Sequence, residues 1–230
     1  MKHLKLQKLN IEGKEIISEK VVTLLGIDLD YKLNFKSHIG KLCKKAAGQL
    51  NAISRVSKFL GYKVKNVIIQ SFIQANFNYC PLVWMHCSSE SMSKIEKIQE
   101  RSLRLLLNDS KSDYKILISR VNKPTMEVRR HRQLAIEIFK TMNNLNPIYM
   151  KDIFIKNNRR ENSRHQNNII TNMENAYTYG HNSIKSLGPK IWNSLPEYYK
   201  KKRSFESFKL LINTWDGVKC KCKMCRQITK

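Results

Sequence analysis

The first thirty-five residues of the chain show the alternation of hydrophobic and polar positions that is typical of short strands. Leucine and isoleucine recur at close to every second position between residues 4 and 11, and Gly13 follows in a polar turn. Residues 21–29 then form a run rich in β-branched side chains. This pattern predicts two short strands or a small hairpin system within residues 1–35.

From Lys36 the hydrophobic spacing changes to the three- and four-residue intervals of an amphipathic helix. Ser37 is the predicted N-cap of the first helix, and Gly61 is its predicted stop. The same periodicity predicts further helices at residues 63–79, 89–107 and 113–121, and another that opens at Pro124. Residues 36–155 are therefore predicted to form one helical domain.

The remaining residues divide into two segments. Residues 156–183 are polar and rich in asparagine without a clear period, which is typical of a linker or an irregular loop. Residues 184–230 are predicted to form a small helical C-terminal region with a cysteine-rich tail. The predicted fold class is mainly α, with short N-terminal strands.

The charge of the chain indicates the kind of partner that it binds. Forty-three Lys and Arg against 18 Asp and Glu give a net charge of +25, and residues 36–120 and 184–230 carry most of the excess. Like charges at this density destabilise a compact state unless a polyanion neutralises them. We therefore expect a nucleic-acid partner ahead of an anionic membrane surface.

The sequence contains no segment that predicts a membrane span or a signal peptide. No hydrophobic run approaches 18 residues, and lysines interrupt the leucines of the first 13 residues. We expect an intracellular protein, in the nucleus or the cytoplasm and not secreted, whose cysteines are free thiols.

Basic residues form strips on three of the predicted helices. Few acids neighbour them, and their helices must pack together through their apolar faces, so we expect them to contact phosphate groups without reading base sequence. A solvated, lysine-rich helix face is the alternative interpretation. The predicted contacts are Lys41, Lys44, Lys45 and Arg55 on the first helix, Lys94, Lys97, Arg101 and Arg104 on the third, and Arg129, Arg130 and Arg132 on the helix after Pro124.

The sequence predicts no catalytic residue. A nucleotidyl-transfer site needs at least two carboxylates that converge on metal ions, and the chain has six Asp, none of them in a Tyr-x-Asp-Asp turn. Asp28 and Asp30 lie two apart on a predicted strand, which would let them share a cation, but exposed charges at a strand end are the favoured interpretation. The motifs of nucleotide-binding loops, serine hydrolases and zinc proteases are absent.

Three cysteines near the C-terminus form a candidate metal cluster. Cys220, Cys222 and Cys225 lie within six residues and are flanked by cationic side chains, which lower thiol pKa values and favour zinc-binding thiolates. No fourth ligand lies nearby in sequence, so a frayed tail is the alternative to zinc. We expect no other cofactor.

The order of several motifs resembles the C-terminal part of reverse transcriptases from non-LTR retrotransposons of the LINE, jockey-like type. The likeness extends over residues 13–215. The motifs that carry it are Leu24-Leu25-Gly26-Ile27-Asp28-Leu29, Tyr79-Cys80-Pro81-Leu82-Val83-Trp84, Ile95-Glu96-Lys97-Ile98-Gln99-Glu100-Arg101, Arg129-Arg130, and Gly188-Pro189-Lys190-Ile191-Trp192-Asn193-Ser194-Leu195-Pro196.

This resemblance implies a role in gripping a template–primer duplex. Leu25 and Gly26 would belong to the primer grip at the edge of the palm, and residues 36–108 to a helical thumb. The fingers, the palm and its metal-binding carboxylates would lie before Met1, so this chain alone is not expected to act as an RNA-directed DNA polymerase. RNA, DNA or an RNA–DNA hybrid would be the partner.

Two other functions compete with this hypothesis. A helical protein–protein interaction or scaffold domain would use its charge only for solubility, and a basic membrane-associated domain would prefer acidic lipid to RNA. The sequence leaves the oligomeric state and the preferred nucleic acid open.

Overall fold

The structure, a computed structural model, describes residues 9–16, 19–156, 168–171 and 183–217. They form a mainly helical fold that begins with two short hairpins, as the hydrophobic pattern predicts. The strands are β1 (Leu9–Ile11), β2 (Lys14–Ile16), β3 (Val21–Leu24) and β4 (Ile27–Asp30). The α-helices are α1 (Lys36–Val56), α2 (Tyr62–Ile68), α3 (Ala75–Asn78), α4 (Pro81–Trp84), α5 (Ser89–Leu107), α6 (Tyr114–Val121), α7 (Met126–Met142), α8 (Ile184–Ser194), α9 (Glu197–Lys200) and α10 (Phe205–Ile212). Short 3₁₀ segments cover Ser57–Phe59 and Ile148–Ile153.

The second hairpin carries a tight two-residue turn. Strands β3 and β4 pair antiparallel with Leu24 opposite Ile27, which leaves Leu25 and Gly26 in the turn. Both turn residues have positive φ, 48° and 80°, as in the type I′ turns that match the twist of paired strands. Strand β3 is exposed along its length, whereas Ile27 and Asp28 of β4 are buried beside α1.

Asp30 orders the loop that leads into α1, and Ser37 does not cap the helix. The Asp30 carboxylate accepts the backbone N–H groups of Lys32 at 3.0 Å, Asn34 at 3.2 Å and Phe35 at 2.7 Å. The helix begins at Lys36, so Ser37 lies inside its first turn. The predicted N-cap is therefore wrong: Phe35 occupies the N-cap position, and no side chain caps the helix.

The predicted helix at residues 63–79 contains a change of helical type. Helix α2 passes into a π-helical segment, Ile69–Gln74, before α3 ends at Asn78. Pro81 then opens α4, a position where its missing N–H breaks no helical hydrogen bond. Within this region the Tyr79 hydroxyl donates to the Leu25 carbonyl at 2.6 Å and so joins the chain to the β3–β4 turn.

A first hydrophobic core lies between α1, the π-helical segment and α5. Ile39 of α1, Ile73 of the π segment and Ile95 of α5 are each no more than 1% exposed there. Trp84 is fully buried in the same core, and its indole N–H donates to the Tyr79 carbonyl at 3.3 Å. This core fixes α5 against α1.

A second hydrophobic core is built by α7, α8 and α10. Phe139 of α7 stacks on Phe208 of α10 with ring centroids 4.3 Å apart, and Ile191 of α8 is fully buried beside them. Helix α7 also reaches the first core through Met126. The C-terminal helices therefore share a core with the helical segment that precedes residue 156.

The Gly-Pro-Lys-x-Trp-Asn block of α8 is buried in this second core. A Cβ on Gly188 would lie 2.6 Å from the Phe154 ring, so the helix approaches Phe154 more closely than any side chain would allow. Trp192 is buried, and the Asn193 amide exchanges two hydrogen bonds of 2.9 Å with the backbone of Ile169. These contacts give the block a packing role.

Candidate nucleic-acid interface

Helix α1 presents its basic strip to solvent. Lys41, Lys44, Lys45 and Arg55 are all exposed, and Gly48 and Ala52 are exposed between them. The opposite side of the helix is buried through Ile39, Ala46, Leu50 and Ile53. The predicted orientation of this strip is confirmed.

Lys41 differs from the rest of the strip because it has an acidic partner. Its Nζ lies 2.7 Å from Asp28 Oδ2, and the Thr23 hydroxyl donates to Asp28 Oδ1 at 2.9 Å. The hydrogen bonds from Lys41 and Thr23 hold the pKa of Asp28 below its ordinary value. Asp28 is thus a buried, paired carboxylate, so its predicted exposure at a strand end is wrong.

His38 completes the polar cluster behind Lys41. Its Nδ1 accepts the Asp28 backbone N–H at 3.4 Å, and burial lowers the pKa of the imidazole. A neutral ring follows near neutral pH, because the unperturbed value is already 6.5. His38 therefore adds no cation to the strip.

Helix α5 carries the second strip along the edge that faces α1. Lys94, Lys97 and Arg101 follow one another at three- and four-residue intervals and are exposed. Lys94 pairs with Glu90 at 2.7 Å, and Arg101 donates to Asn51 Oδ1 of α1 at 3.1 Å. Lys97 makes no ion pair within the described part of the chain.

Arg104, the fourth residue of the predicted α5 strip, is held by contacts within the protein. Its guanidinium pairs with Glu100 at 2.6 Å and donates to the Ser110 carbonyl at 2.7 Å, and the side chain is half-buried. The pairing of Arg104 with Glu100 follows from their spacing of four residues, whereas the prediction that acids compensate the strips poorly is wrong for Lys41 and Lys94. Both acids on α5 lie one helical turn before the cation, where a salt bridge forms readily.

The two strips lie side by side because α1 and α5 run in parallel. Lys36 at the start of α1 is 3.7 Å from Glu90 at the start of α5, and Arg101 reaches Asn51 some four turns further along. The adjoining edges therefore present a continuous surface. We call this surface the basic face; it consists of Lys41, Lys44, Lys45 and Arg55 of α1 with Lys94, Lys97 and Arg101 of α5.

The β3–β4 turn lies at one border of the basic face. Gly26 and Lys45 line the same hollow of about 410 Å³, together with Gln49 and Tyr79. Leu25 at the tip is 82% exposed, and the Tyr79 hydroxyl holds its carbonyl. The structure thus brings the primer-grip-like pair Leu25 and Gly26 next to the α1 strip.

Tyr79 is the residue of this site that the sequence reasoning missed. It begins the motif at residues 79–84, but nothing in the local pattern shows that its hydroxyl reaches a turn 54 residues upstream. Its position two residues before Pro81, at the end of a helix, was the only available signal.

The α7 arginines do not extend the basic face. Arg129, Arg130 and Arg132 line a separate cavity with Gln133 and Asn213. Arg130 is only 7% exposed, so the prediction that it points away from the core is wrong. Helix α7 packs on both cores and therefore has little surface left for solvent.

The candidate zinc ligands Cys220, Cys222 and Cys225 lie outside the described residues. Among the described residues, no three His, Cys, Asp or Glu side chains are grouped as metal ligands. Burial raises the pKa of the Cys87 thiol to about 12 and also raises that of Cys43. These two thiols stay protonated, which disfavours metal binding.

Comparison of the chain with protein-family models, with curated proteins and with solved structures gives no match. In the described ranges, none of the helices has the length and apolarity that crossing a membrane requires.

Proposed function

We propose that the chain binds the sugar-phosphate backbone of RNA, DNA or an RNA–DNA hybrid through the basic face. One observation carries the proposal: Lys44, Lys45, Arg55 and Lys97 are exposed on two parallel helices and have no acidic partner within the described ranges. Cations held on rigid helices can replace the counterions of a phosphate backbone without first breaking salt bridges. Such a function belongs in the nucleus or the cytoplasm.

The motif order supports a more specific version of this proposal. We propose that the chain corresponds to the thumb and tail of a non-LTR retrotransposon reverse transcriptase and grips a template–primer duplex. The position of Leu25 and Gly26 beside Lys45 is consistent with a primer grip that adjoins a thumb. Asp28 and Asp30 are engaged by Lys41 and by backbone amides, so they do not form a pair of free metal ligands, and we propose no polymerase activity for these residues.

A charge-reversal experiment tests the basic face. We expect Lys44→Glu, Lys45→Glu and Arg55→Glu, combined in one variant, to weaken binding to a fluorescent RNA–DNA hybrid at least about tenfold. Fluorescence anisotropy across a salt series should also show a log K against log salt slope that is less steep by about 0.9 for each lost phosphate contact.

The matched control reverses three exposed cations elsewhere. Lys201→Glu, Lys202→Glu and Arg203→Glu change the net charge equally but lie between α9 and α10. We expect this variant to keep most of the affinity. Binding that survives reversal of the basic face would contradict the proposal, as would an equal loss in both variants, since bulk charge would then explain the result.

Exposed apolar side chains favour a protein–protein interaction domain as the second candidate. Phe59, Val67 and Phe72, in and around α2, are 77%, 62% and 56% exposed. Large apolar side chains grouped on a surface mark interaction sites. This function predicts binding to a protein partner that is unaffected by salt and nuclease, whereas the nucleic-acid function predicts that both treatments remove the ligand. Preference for acidic vesicles over RNA would indicate the membrane alternative.

A further inference from the structure

A polar cavity of about 470 Å³ lies where α7 meets the end of α3 and the residue that follows α10. Its apolar walls include Phe77 and Ile136. Its polar lining consists of Arg129, Arg130, Arg132, Gln133, Asn78 and Asn213. The lining residues contribute three cations and no carboxylate.

Arg130 is the most informative residue of this cavity. It is 93% buried, and no acceptor from the described residues lies within hydrogen-bonding distance of its Nη1. A buried guanidinium N–H without a partner is costly, and native proteins rarely leave one. Arg130 therefore carries a buried charge beside a cavity whose lining holds no carboxylate, and this favours an anion there.

The acids around Arg130 do not supply the missing acceptor. Glu96 and Glu127 are close enough to act on its charge, but neither makes an ion pair with it. Glu96 accepts the Tyr114 hydroxyl on one oxygen and the Glu127 backbone N–H, at 2.9 Å, on the other. Each of its oxygens thus already accepts one hydrogen bond from another donor.

Within the described ranges, Arg129 and Arg132 also retain donors without an acceptor. The only partner of Arg129 there is the Met126 sulfur, at 3.7 Å, and Arg132 donates its Nε–H to the Trp215 carbonyl at 2.5 Å. Burial, and then the charge of Arg132, lower the pKa of Arg129, and both residues line the cavity. The Asp216 carboxylate acts on Arg132 from outside the cavity lining. Three cations crowded into one partly buried cavity are stabilised when an anion enters it.

We propose that the α7 cavity binds a phosphate monoester through the positive charge of Arg129, Arg130 and Arg132, which line it. A doubly charged phosphate offers several oxygens to the forked guanidinium donors, which match phosphate geometry. The cavity exceeds the size of a phosphate ion and falls in the range of small-molecule sites, about 300–1,000 Å³. An organic group would pack on Phe77 and Ile136, within reach of the Asn and Gln amides. A free mononucleotide and the 5′-phosphorylated end of a strand share this chemistry.

This site goes beyond the proposed function because it uses none of the residues of the basic face. The test measures binding of inorganic phosphate, adenosine 5′-monophosphate and adenosine to the full chain by titration calorimetry. A 5′-phosphorylated and a 5′-hydroxyl oligonucleotide distinguish a strand end from a free nucleotide as the source. The test variant combines Arg129→Gln with Arg130→Met, which removes two of the three cations that line the cavity.

We expect the monophosphate to bind and adenosine not to bind. The double variant should lose at least about tenfold in affinity, whereas Lys201→Gln combined with Lys202→Gln should change it less than about twofold. The variant with reversed charges on the basic face should bind the monophosphate normally. Failure of the wild-type chain to bind either phosphate probe, or equal binding by the double variant, would overturn the proposal. Loss of binding only in the basic-face variant would overturn it as well, since the phosphate would then occupy that face.

Discussion

Lysines that look alike on the sequence of helix α1 differ in how strongly the protein already holds them. Lys41 is paired with a buried carboxylate, whereas Lys44 and Lys45 make no ion pair among the described residues. A phosphate group must compete with Asp28 for Lys41 but meets Lys44 and Lys45 unopposed. Because breaking an existing ion pair costs free energy, Lys44 and Lys45 should bind phosphate more readily than Lys41, although the spacing of the three lysines does not distinguish them.

Asp28 makes the stability of the fold depend on pH. Its folded-state pKa is lowered by Lys41 and Thr23, so its contribution is present above the ordinary value of 3.8 and is lost as the pH falls through the folded-state value. We expect Asp28→Asn to reduce the free energy of unfolding at pH 7 and to have a smaller effect near pH 3. Urea unfolding of both proteins at the two pH values measures this difference.

Asp152→Asn is the matched control, because it removes an exposed carboxylate from the 3₁₀ segment Ile148–Ile153. It should follow the wild type at both pH values. A destabilisation by Asp28→Asn that is equal at pH 7 and pH 3 would show that the carboxylate charge has no part in the effect.

The residues that the sequence misplaced share one physical cause. The spacing within their own elements predicts that Arg130 and Asp28 are exposed to solvent. Both are buried, because a second element packs over them. Helical and strand periodicity describes one face of one element. The neighbour that covers the other face depends on tertiary packing, which the local pattern does not contain.

At the scale of the elements, helix starts and stops depend on side chains beyond the local pattern. Replacing Asp30 by Ala removes the acceptor for the Lys32, Asn34 and Phe35 amides in the loop that leads into α1. We expect a loss of about 1–2 kcal/mol in the free energy of unfolding, because three backbone N–H groups lose a charged acceptor. Ser37→Ala should cost less than about 0.5 kcal/mol, because Ser37 makes no capping contact. Denaturant titration of both variants compares the two, and a larger effect of Ser37→Ala would contradict this assignment.

The type of an element was predictable where its hydrophobic spacing extends over many residues. It was much less predictable where tertiary packing alters the backbone conformation. The hairpin and helices α1, α5 and α7 follow from hydrophobic spacing over many residues. The π-helical segment Ile69–Gln74 and the helical position of Pro189 do not, because each depends on neighbours that accept the altered backbone. For the candidate site, the sequence predicted the α1 strip, but it did not show the parallel alignment that joins the strip to α5.

At the scale of the whole molecule, helix α7 connects the two hydrophobic cores. It contributes Met126 to the first core and Leu134, Ile138 and Phe139 to the second. The consecutive residues Trp84 and Met85 are likewise divided between them. Loss of either core would remove packing that holds α7 in the other, so the described helices should unfold together.

Tryptophan positions allow this cooperativity to be measured, because Trp84 lies in the first core and Trp192 and Trp215 lie in the second. The variant Trp192→Phe/Trp215→Phe reports on the first core alone, and Trp84→Phe reports on the second. In each variant we expect tryptophan fluorescence and far-UV circular dichroism to show the same midpoint in one denaturant titration, since a shared helix couples the cores. A fluorescence midpoint that precedes the circular dichroism midpoint in either variant would show that the basic face and the α7 cavity belong to units that unfold separately.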